Sequence, residues 1–278
     1  MLKRQSWTRE DDTVLRHIYP SASDSEVAKH MQRTQWSIKS RAKRLHLTKD
    51  AEYRAALDQL KTQRLREANR TYHLNHGYFS HITTREQAYW LGWLWSDGCV
   101  RKRGNSCEII LSLQKGDEGV LQRFRSKVGA GYPIRVDSGA VTLLLTSPQM
   151  FADLECYGVI PHKSALATYP HIGRAFTSDF VRGVFDGDGC ITTSVIRQSA
   201  VTIIGTEPFC CWLQATTQRE IGIRSAVYHK KNTTFRWVIG ARAAITSFAR
   251  WMYRAEGDGS LPLHLERKYA RFVSAGLI

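Results

Sequence analysis

Two similar segments of this chain each end in an aspartate that is followed by glycine and cysteine. The first, AYWLGWLWSDGCV, covers Ala88–Val100, and the second, DFVRGVFDGDGCI, covers Asp179–Ile191. They align without a gap, so that Asp97 matches Asp188. Two carboxylates supplied by two copies of one motif can hold a divalent cation, provided that the fold brings them together.

Both aspartates stand at the C-terminal end of an apolar helical segment. The helix macrodipole is negative at this end and disfavours a carboxylate. If Asp97 and Asp188 lie side by side, they repel each other, or one takes up a proton, unless a cation binds. Oxygen ligands that retain water favour Mg²⁺ over Zn²⁺. Metal ions held by carboxylates beside a basic surface can hydrolyse a phosphodiester with activated water.

Small residues on the two helical segments provide a way to bring the acids together. Gly92 and Ser96 in the first segment, and Gly183 and Gly187 in the second, are each one helical turn apart. Small side chains at this spacing let two helix backbones approach closely. We therefore expect a helix interface through Gly92 and Gly183, with the C-terminal ends of the two helices adjacent.

Local signals mark the beginning and the end of these helices. Thr84 is followed three residues later by Gln87, which is the spacing of a capping box at a helix start. Gly98 and Gly189 directly follow the two aspartates. We expect both glycines to adopt the left-handed conformation that is common just after a helix.

The repeat also distinguishes between the two acids of the second segment. Asp186 precedes Asp188 by two residues, but the matching residue of the first segment is Trp95. An acid that both copies share is the better candidate for a shared site. We therefore predict that Asp97 and Asp188, rather than Asp186, bind the metal.

The similarity between the two copies continues beyond the aspartates. Each copy is followed by two segments with strand alternation, a helical segment, two more strand segments and another helical segment. The predicted fold class is α+β, with two pseudo-symmetric αββαββα repeats at residues 84–176 and 177–278. Because alternate residues of a strand face opposite sides, Val141, Leu143 and Leu145 should lie on a face covered by helices, as should Phe235, Trp237 and Ile239.

The overall charge favours a nucleic acid as the partner. The chain has 40 Lys and Arg against 25 Asp and Glu, a net charge of +15, which favours a polyanion. Neither a bilayer-spanning apolar run nor a signal-peptide core is present, so we expect an intracellular protein, cytoplasmic or nucleoid-associated, without a membrane partner. The cysteines form no CxxC pair, which argues against bound zinc.

The first 48 residues contain three short helical patterns. They resemble a Myb/SANT-like helix-turn-helix domain, with Trp7 and Trp36 as the aromatic residues of its core. The third pattern carries the basic residues expected of a recognition helix in the major groove of DNA, namely Lys39, Arg41, Lys43 and Arg44. The alternative is a small structural bundle with a solvated basic helix. A charged helical linker at residues 49–83 is predicted to connect this all-α domain to the repeats.

The segments WLGWLWSDG and VRGVFDGDG resemble the paired signature motifs of single-chain LAGLIDADG homing endonucleases. The resemblance implies a monomer in which the motif helices form the interface of the two repeats and the sheets form a saddle on double-stranded DNA. It implies two or three Mg²⁺ ions, replaceable by Mn²⁺, at the shared site. The implied ligands are Asp97, Asp188 and the backbone carbonyls of Ser96 and Gly187. The first motif departs from the family pattern in its tryptophans, Trp90, Trp93 and Trp95.

The same resemblance implies a basic residue near the scissile phosphate in each half. Lys163 follows the first repeat and Lys268 lies near the end of the second, and both are predicted to be catalytic; ordinary surface lysines are the alternative. Cleavage of both strands would leave 3′ overhangs, as in the intron homing of a mobile genetic element. Basic residues on open sheet faces or hairpin ends are predicted to contact bases or phosphates, namely Arg101, Arg103, Arg135, Arg197, Lys230 and Arg236.

Two functions from different classes stay open. The first is a site-specific, Mg²⁺-dependent endonuclease that hydrolyses both strands of a long DNA target. The second is a catalytically inactive nucleic-acid binder, an RNA maturase or a transcription regulator, on the same scaffold. Such regulators tend to lose the acids, whereas this chain has both, which favours the endonuclease.

Overall fold

The computed structural model describes residues 6–68, 72–161, 168–192 and 199–278, without the side chains of residues 62–68. The chain divides into two compact units, Met1–Thr71 and Tyr72–Ile278. In the described part of the chain, no helix has the length and the apolar character needed to cross a membrane.

The first unit is helical. Its helices are α1 (Arg9–Ile18), α2 (Asp24–His30), α3 (Gln35–Arg44) and α4 (Ala51–Ala68). The first three begin at side-chain caps, since Thr8, Ser23 and Thr34 each accept a hydrogen bond from a backbone N–H of the first turn. These caps satisfy amides that have no partner within the helix.

The core of the first unit is small. Leu15, Val27 and Ile38 are at most 1% exposed, and Trp7 packs against this cluster. The prediction that Trp36 belongs to the core is wrong, because its side chain is 75% exposed. Trp36 lies two residues before Ile38, about 200° away around the helix, so the two side chains cannot face the same side.

The second unit contains the αββαββα pattern twice, which confirms the predicted α+β fold class. The first copy consists of α5 (Arg85–Ser96), β1 (Gly98–Arg103), β2 (Ser106–Gln114), α6 (Glu118–Lys127), β3 (Ile134–Val136), β4 (Ala140–Thr146) and α7 (Pro148–Cys156). Its strands form an antiparallel sheet in the order β1-β2-β4-β3.

The second copy repeats this arrangement. It consists of α8 (Thr177–Asp188), β5 (Gly189–Thr192), β6 (Ala200–Gly205), α9 (Glu207–Ile221), β7 (Ala226–Lys231), β8 (Thr234–Ile239) and α10 (Arg242–Met252). Its sheet has the corresponding antiparallel order β5-β6-β8-β7. One further helix, α11 (Glu266–Ser274), follows this copy.

One hydrophobic core extends through both copies. In β4, the alternating residues Val141, Leu143 and Leu145 are at most 1% exposed, as predicted. In β8, Trp237 and Ile239 are buried in the same way, and Phe235 is half-buried. One face of each sheet is therefore packed under helices, and the other face stays open.

The two motif helices, α5 and α8, begin differently. The predicted capping box of α5 is confirmed: Gln87 N donates to Thr84 Oγ1 at 3.1 Å, and Thr84 N donates to Gln87 Oε1 at 3.1 Å. α8 has no side-chain cap and is entered through a short 3₁₀ turn, Arg174–Phe176. The sequence repeat therefore does not extend to the helix starts.

The glycines after the motif helices correct another expectation. The prediction that Gly98 and Gly189 are left-handed is wrong, because neither has a positive φ, and Gly189 is extended at φ −78° and ψ 151°. A Cβ on Gly98 would lie 2.7 Å from Leu94 Cα, and one on Gly189 would lie 2.8 Å from Phe185 Cα. Glycine is needed at both positions because the strand begins so close to the preceding helical turn that a side chain would overlap its backbone.

Candidate functional site

The two predicted interface glycines lie where the backbones of α5 and α8 approach closely. A Cβ on Gly92 would lie 2.9 Å from Gly183 Cα and closer still to the carbonyl oxygen of Phe180. A Cβ on Gly183 would lie 3.0 Å from Gly92 Cα and closer still to the carbonyl oxygen of Tyr89. No side chain fits at either position, so the absence of Cβ atoms sets the separation of the two helices.

One turn further, the C-terminal ends of these helices also meet. A Cβ on Gly187 would collide with Ser96 Oγ and would lie 2.9 Å from Asp97 Oδ2. The Ser96 hydroxyl donates to the Gly92 carbonyl at 3.1 Å, which directs it back to its own helix. The carboxylate of Asp97, from the first copy, therefore lies beside the residue that directly precedes Asp188.

Lys268, from α11, lies at the same helix ends. Its side-chain Nζ donates to the Phe185 carbonyl at 2.7 Å and to the Gly187 carbonyl at 2.8 Å. The last carbonyls of a helix have no partner within the helix, and a cation there also offsets the negative end of the macrodipole. Lys268 is 7% exposed. It is therefore a buried cap of α8 rather than an ordinary surface lysine.

Acids from both copies act on this ammonium group. Burial lowers the pKa of Lys268 to about 8. The carboxylate of Asp186 opposes this shift, the charge of Arg267 adds to it, and Asp97 and Asp188 again oppose it. The geometry agrees with this, because Lys268 binds the carbonyl of Gly187, which directly precedes Asp188 and lies beside the carboxylate of Asp97.

Asp186 connects three segments. It is 1% exposed, and its Oδ2 accepts from the Tyr89 hydroxyl at 2.9 Å and from the backbone N–H of Leu265 at 2.8 Å. Burial raises the pKa of Asp186, and the charge of Lys268 opposes that shift. Tyr89 belongs to α5 and Leu265 directly precedes α11. Asp186 therefore fixes α11 against both motif helices, a role that the sequence did not reveal.

A second ion pair holds α11 to the first copy. The guanidinium of Arg267 binds both oxygens of Asp117, with Nε to Oδ1 at 3.1 Å and Nη2 to Oδ2 at 2.8 Å. Burial alone would raise the pKa of Asp117, but hydrogen bonds from Arg267 and Gln114 lower it. The neighbours Arg267 and Lys268 thus fix α11 to the two copies. Sequence reasoning missed both residues: Arg267 is the chain neighbour of Lys268, but no local signal indicates Asp117.

The opposite, N-terminal ends of the motif helices are joined by a buried carboxylate. Asp179 is fully buried and accepts from Arg85 at 3.0 Å, from Arg182 at 2.7 Å and from Arg254 at 3.0 Å. Arg85 also pairs with Glu256 at 2.9 Å. A buried charge needs such partners to offset its loss of hydration. This cluster, which the sequence reasoning also missed, locks the helix pair at the end remote from Asp97 and Asp188.

The residues at the helix ends offer oxygen donors. Asp97 and Asp188 provide carboxylates, and the predicted carbonyl ligands belong to Ser96 and Gly187, of which Gly187 also accepts from Lys268. A donor set made only of oxygen atoms is the kind that Mg²⁺ prefers. Among the described residues, no group of three or more His, Cys, Asp or Glu side chains is placed to hold a metal.

The basic residues predicted on α3 differ in their availability. Arg41 is engaged within the unit, since its Nε donates to Asp12 Oδ1 at 2.7 Å. Lys39 approaches Asp24 at 3.7 Å but remains 62% exposed. Lys43 and Arg44 are exposed.

The basic residues predicted on the sheets also fall into groups. Arg101 pairs with Glu108 at 2.7 Å, and the Arg236 guanidinium lies 5.9 Å from the ring centroid of Tyr228. Arg101 and Arg236 are nevertheless exposed, as are Arg103, Arg135 and Lys230. The predicted catalytic Lys163 and the predicted DNA contact Arg197 lie outside the described residues.

Comparison with known proteins finds similarity only at the level of solved structures. No family model and no curated protein match the chain. The full-length DUF199/WhiA protein from Thermatoga maritima is 14% identical with a TM-score of 0.45, over 72% of this chain and 64% of that one. Variants of the homing endonuclease I-DmoI are 12% identical with a TM-score of 0.45, over 72% of this chain and 99% of theirs. The LAGLIDADG homing endonuclease I-GzeII in complex with its DNA target is 11% identical with a TM-score of 0.41, over 57% of this chain and 79% of that one. The chain thus spans less than two thirds of the length of the WhiA protein.

Proposed function

We propose that this protein is a site-specific endonuclease that hydrolyses both strands of double-stranded DNA with the help of Mg²⁺. The observation that carries this proposal is the convergence of Asp97, Asp188 and Lys268 at the ends of the two motif helices. Each copy contributes one acid to this point. A centre built in this way on a pseudo-two-fold axis suits a duplex, whose two strands are themselves related by two-fold symmetry.

Asp97 and Asp188, with the carbonyls of Ser96 and Gly187, would hold the cation. Bound Mg²⁺ supplies Lewis acidity to water and to the leaving oxygen of a phosphodiester. Lys268 contributes a positive charge at the same place, which can stabilise a phosphate oxygen. Its pKa of about 8 also lets it hold or release a proton near neutral pH.

The open faces of the two sheets are the proposed DNA surface. In the first sheet, Arg135 pairs in register with Thr142, and in the second, Arg236 pairs with Tyr228, on the sides opposite the buried residues. The excess of positive charge in the chain favours the phosphate backbone. We propose that the exposed basic residues of α3 extend the contact with the same target.

One observation favours the second candidate function, a nucleic-acid binder without catalysis. Lys268 already neutralises part of the charge at the helix ends and bonds to a predicted carbonyl ligand. On such a scaffold the acids would serve the fold alone. The two candidates differ in whether DNA is cut when Mg²⁺ is present.

A cleavage experiment separates them. The full chain is incubated with Mg²⁺ or EDTA and either host genomic DNA or a plasmid that carries the joined DNA flanking the reading frame, and new DNA ends are mapped by sequencing. We expect Mg²⁺-dependent double-strand breaks at one site, with 3′ overhangs. Asp97→Asn and Asp188→Asn should abolish cleavage and retain DNA binding, whereas Asp258→Asn, in an exposed turn, should cut normally. No new ends from the unaltered chain, or normal cutting by either of the first two variants, would refute the proposal.

A further inference from the structure

α3 presents a tryptophan to solvent. Trp36 is 75% exposed, more than any other large hydrophobic side chain among the described residues. A tryptophan that packs in a core contributes strongly to stability, because it buries a large apolar area. Trp36 contributes little of this kind to the first unit, whose core is formed by Leu15, Val27 and Ile38. Its exposure therefore calls for a partner outside the unit.

The neighbours of Trp36 on the helix surface are positively charged. Successive residues of an α-helix are about 100° apart, so Lys39 and Lys43 lie on the same side of α3 as Trp36. Lys43 is exposed and Lys39 is 62% exposed. Arg41 lies toward Asp12 instead, and its ion pair keeps it within the unit. The outward face of α3, which we define as Trp36, Lys39 and Lys43, thus combines one flat apolar group with two exposed ammonium groups, of which Lys39 also approaches Asp24 at 3.7 Å.

This combination matches the chemistry of a duplex groove. The major groove admits one α-helix, and it presents phosphates along its edges and thymine methyl groups on its floor. The lysines complement the phosphates, and the tryptophan complements the methyl groups. Proteins that bind single strands instead stack unpaired bases in a groove. The outward face of α3 is the convex surface of a helix, which fits into a groove rather than forming one.

We propose that Trp36 reads bases in the major groove of double-stranded DNA by packing on thymine methyl groups, while Lys39 and Lys43 bind the flanking phosphates. The inference rests on the proposed DNA binding of the chain and assigns the first unit a share of the base specificity. Under this assignment the first unit does more than add positive charge. An electrostatic contact alone would be independent of sequence.

Trp36 is uncharged and Lys43 is charged, so the salt dependence of affinity distinguishes their contributions to DNA binding. Trp36→Ala removes an apolar contact and no charge, so the dependence of affinity on salt should not change. Lys43→Ala removes one phosphate contact and should reduce the slope of log affinity against log salt by about 1. Trp36 and Lys43 are both exposed, so neither variant should lower the melting temperature of the full chain, which circular dichroism checks.

The experiment selects binding sites for the full chain, in EDTA, from duplexes with a randomised central segment. We expect the unaltered chain and Lys43→Ala to enrich the same thymine-containing segment, and Trp36→Ala to lose that preference and about tenfold in affinity. Replacing thymine by uracil in the selected duplex removes the methyl groups. This replacement should weaken the unaltered chain and leave Trp36→Ala unaffected, with Trp36→Phe in between.

Two results would overturn the inference. One is equal affinity and equal base preference of the unaltered chain and Trp36→Ala. The other is a loss by Trp36→Ala that is confined to single-stranded DNA, which would show that Trp36 stacks on unpaired bases. The outcome is separate from that of the cleavage test, because Asp97→Asn should select the same segment as the unaltered chain even if cleavage is absent from both.

Discussion

The two copies in the second unit share a backbone pattern but carry chemically opposite residues at one matched position, an aromatic residue in the first and an acid in the second. In the first copy, Trp95 packs on Phe209 with ring centroids 4.2 Å apart, and its Nε1 donates to the Thr168 carbonyl at 3.0 Å. In the second copy, Asp186 stands at this position and accepts from the Tyr89 hydroxyl. Each side chain reaches across to the other copy, one through an apolar contact and one through a charge.

This difference distinguishes the contacts that hold α5 and α8 together from the contacts that organise the site at their C-terminal ends. The glycine contacts between α5 and α8 are similar on both sides and depend on shape alone. Two buried charged groups at the last turn of α8, Asp186 and Lys268 of α11, have no counterpart described in the first motif helix, where Trp95 stands at the position of Asp186. Buried charges cost hydration and must be paired, so they specify one arrangement. We call the glycine contacts the symmetric part and the pair Asp186 and Lys268 the asymmetric part. The free energy of unfolding should therefore respond to added volume in the symmetric part and to the removal of charge in the asymmetric part.

The largest effect is expected from adding one methyl group to the symmetric part. In Gly183→Ala, the Cβ would overlap the backbone of α5 at Tyr89 and Gly92, neither of which can move aside alone. We expect the free energy of unfolding to fall by about 3 kcal/mol or more. Urea unfolding of the full chain, followed by circular dichroism, measures this change.

Gly119→Ala is the matched control for that substitution. Gly119 lies in α6, and a Cβ there would meet nothing within 4 Å. We expect a gain of up to about 1 kcal/mol, because alanine reduces the freedom of the unfolded chain. Equal effects of the two substitutions would show that close backbone packing of α5 and α8 does not hold the unit together.

A smaller effect is expected from charge removal in the asymmetric part. Lys268→Met keeps the length of the side chain but leaves the Phe185 and Gly187 carbonyls without its two hydrogen bonds. We expect a loss of about 1–3 kcal/mol in the free energy of unfolding, against about 0.5 kcal/mol or less for Lys230→Met on the exposed β7.

A double-mutant cycle then tests whether Lys268 acts together with Asp186. Because Lys268 offsets the buried charge of Asp186, Asp186→Asn should cost less in the Lys268→Met background than alone, with a coupling of about 1 kcal/mol or more. Additive losses from the two substitutions would mean that the carboxylate and the ammonium stabilise the unit independently.

The local parts of this structure could be predicted from the sequence. The in-register motifs and the alternation around Leu143 lie within short segments, and the capping box at Thr84 depends on two nearby residues. The proximity of Asp97 to Gly187 could also be inferred, because small residues at helical spacing indicate a close interface. These features need no knowledge of how distant segments pack.

The features that sequence reasoning missed depend on tertiary contacts. Nothing local indicates that Arg267 binds Asp117, or that Asp179 binds Arg85 and Arg254 from distant segments. Glycine is required at position 98 because a Cβ would overlap the backbone of Leu94, not because φ is positive. Both causes select glycine, so the sequence alone could not distinguish them. The resemblance to a Myb/SANT-like domain implies a core position for Trp36, whereas its position relative to Ile38 on the helix excludes a shared face.

The central claim is that Asp97 and Asp188, from two different copies, share one metal site. Metal-directed cleavage of the protein tests it most directly: Fe²⁺ replaces Mg²⁺, ascorbate and peroxide generate hydroxyl radicals at the bound ion, and mass spectrometry maps the cut peptide bonds. We predict cuts near residue 97 and near residue 188 in the same sample, and the loss of both sets in Asp97→Asn as well as in Asp188→Asn. Cuts at only one of these places, or variants that each lose only the cuts beside the altered residue, would contradict a shared site.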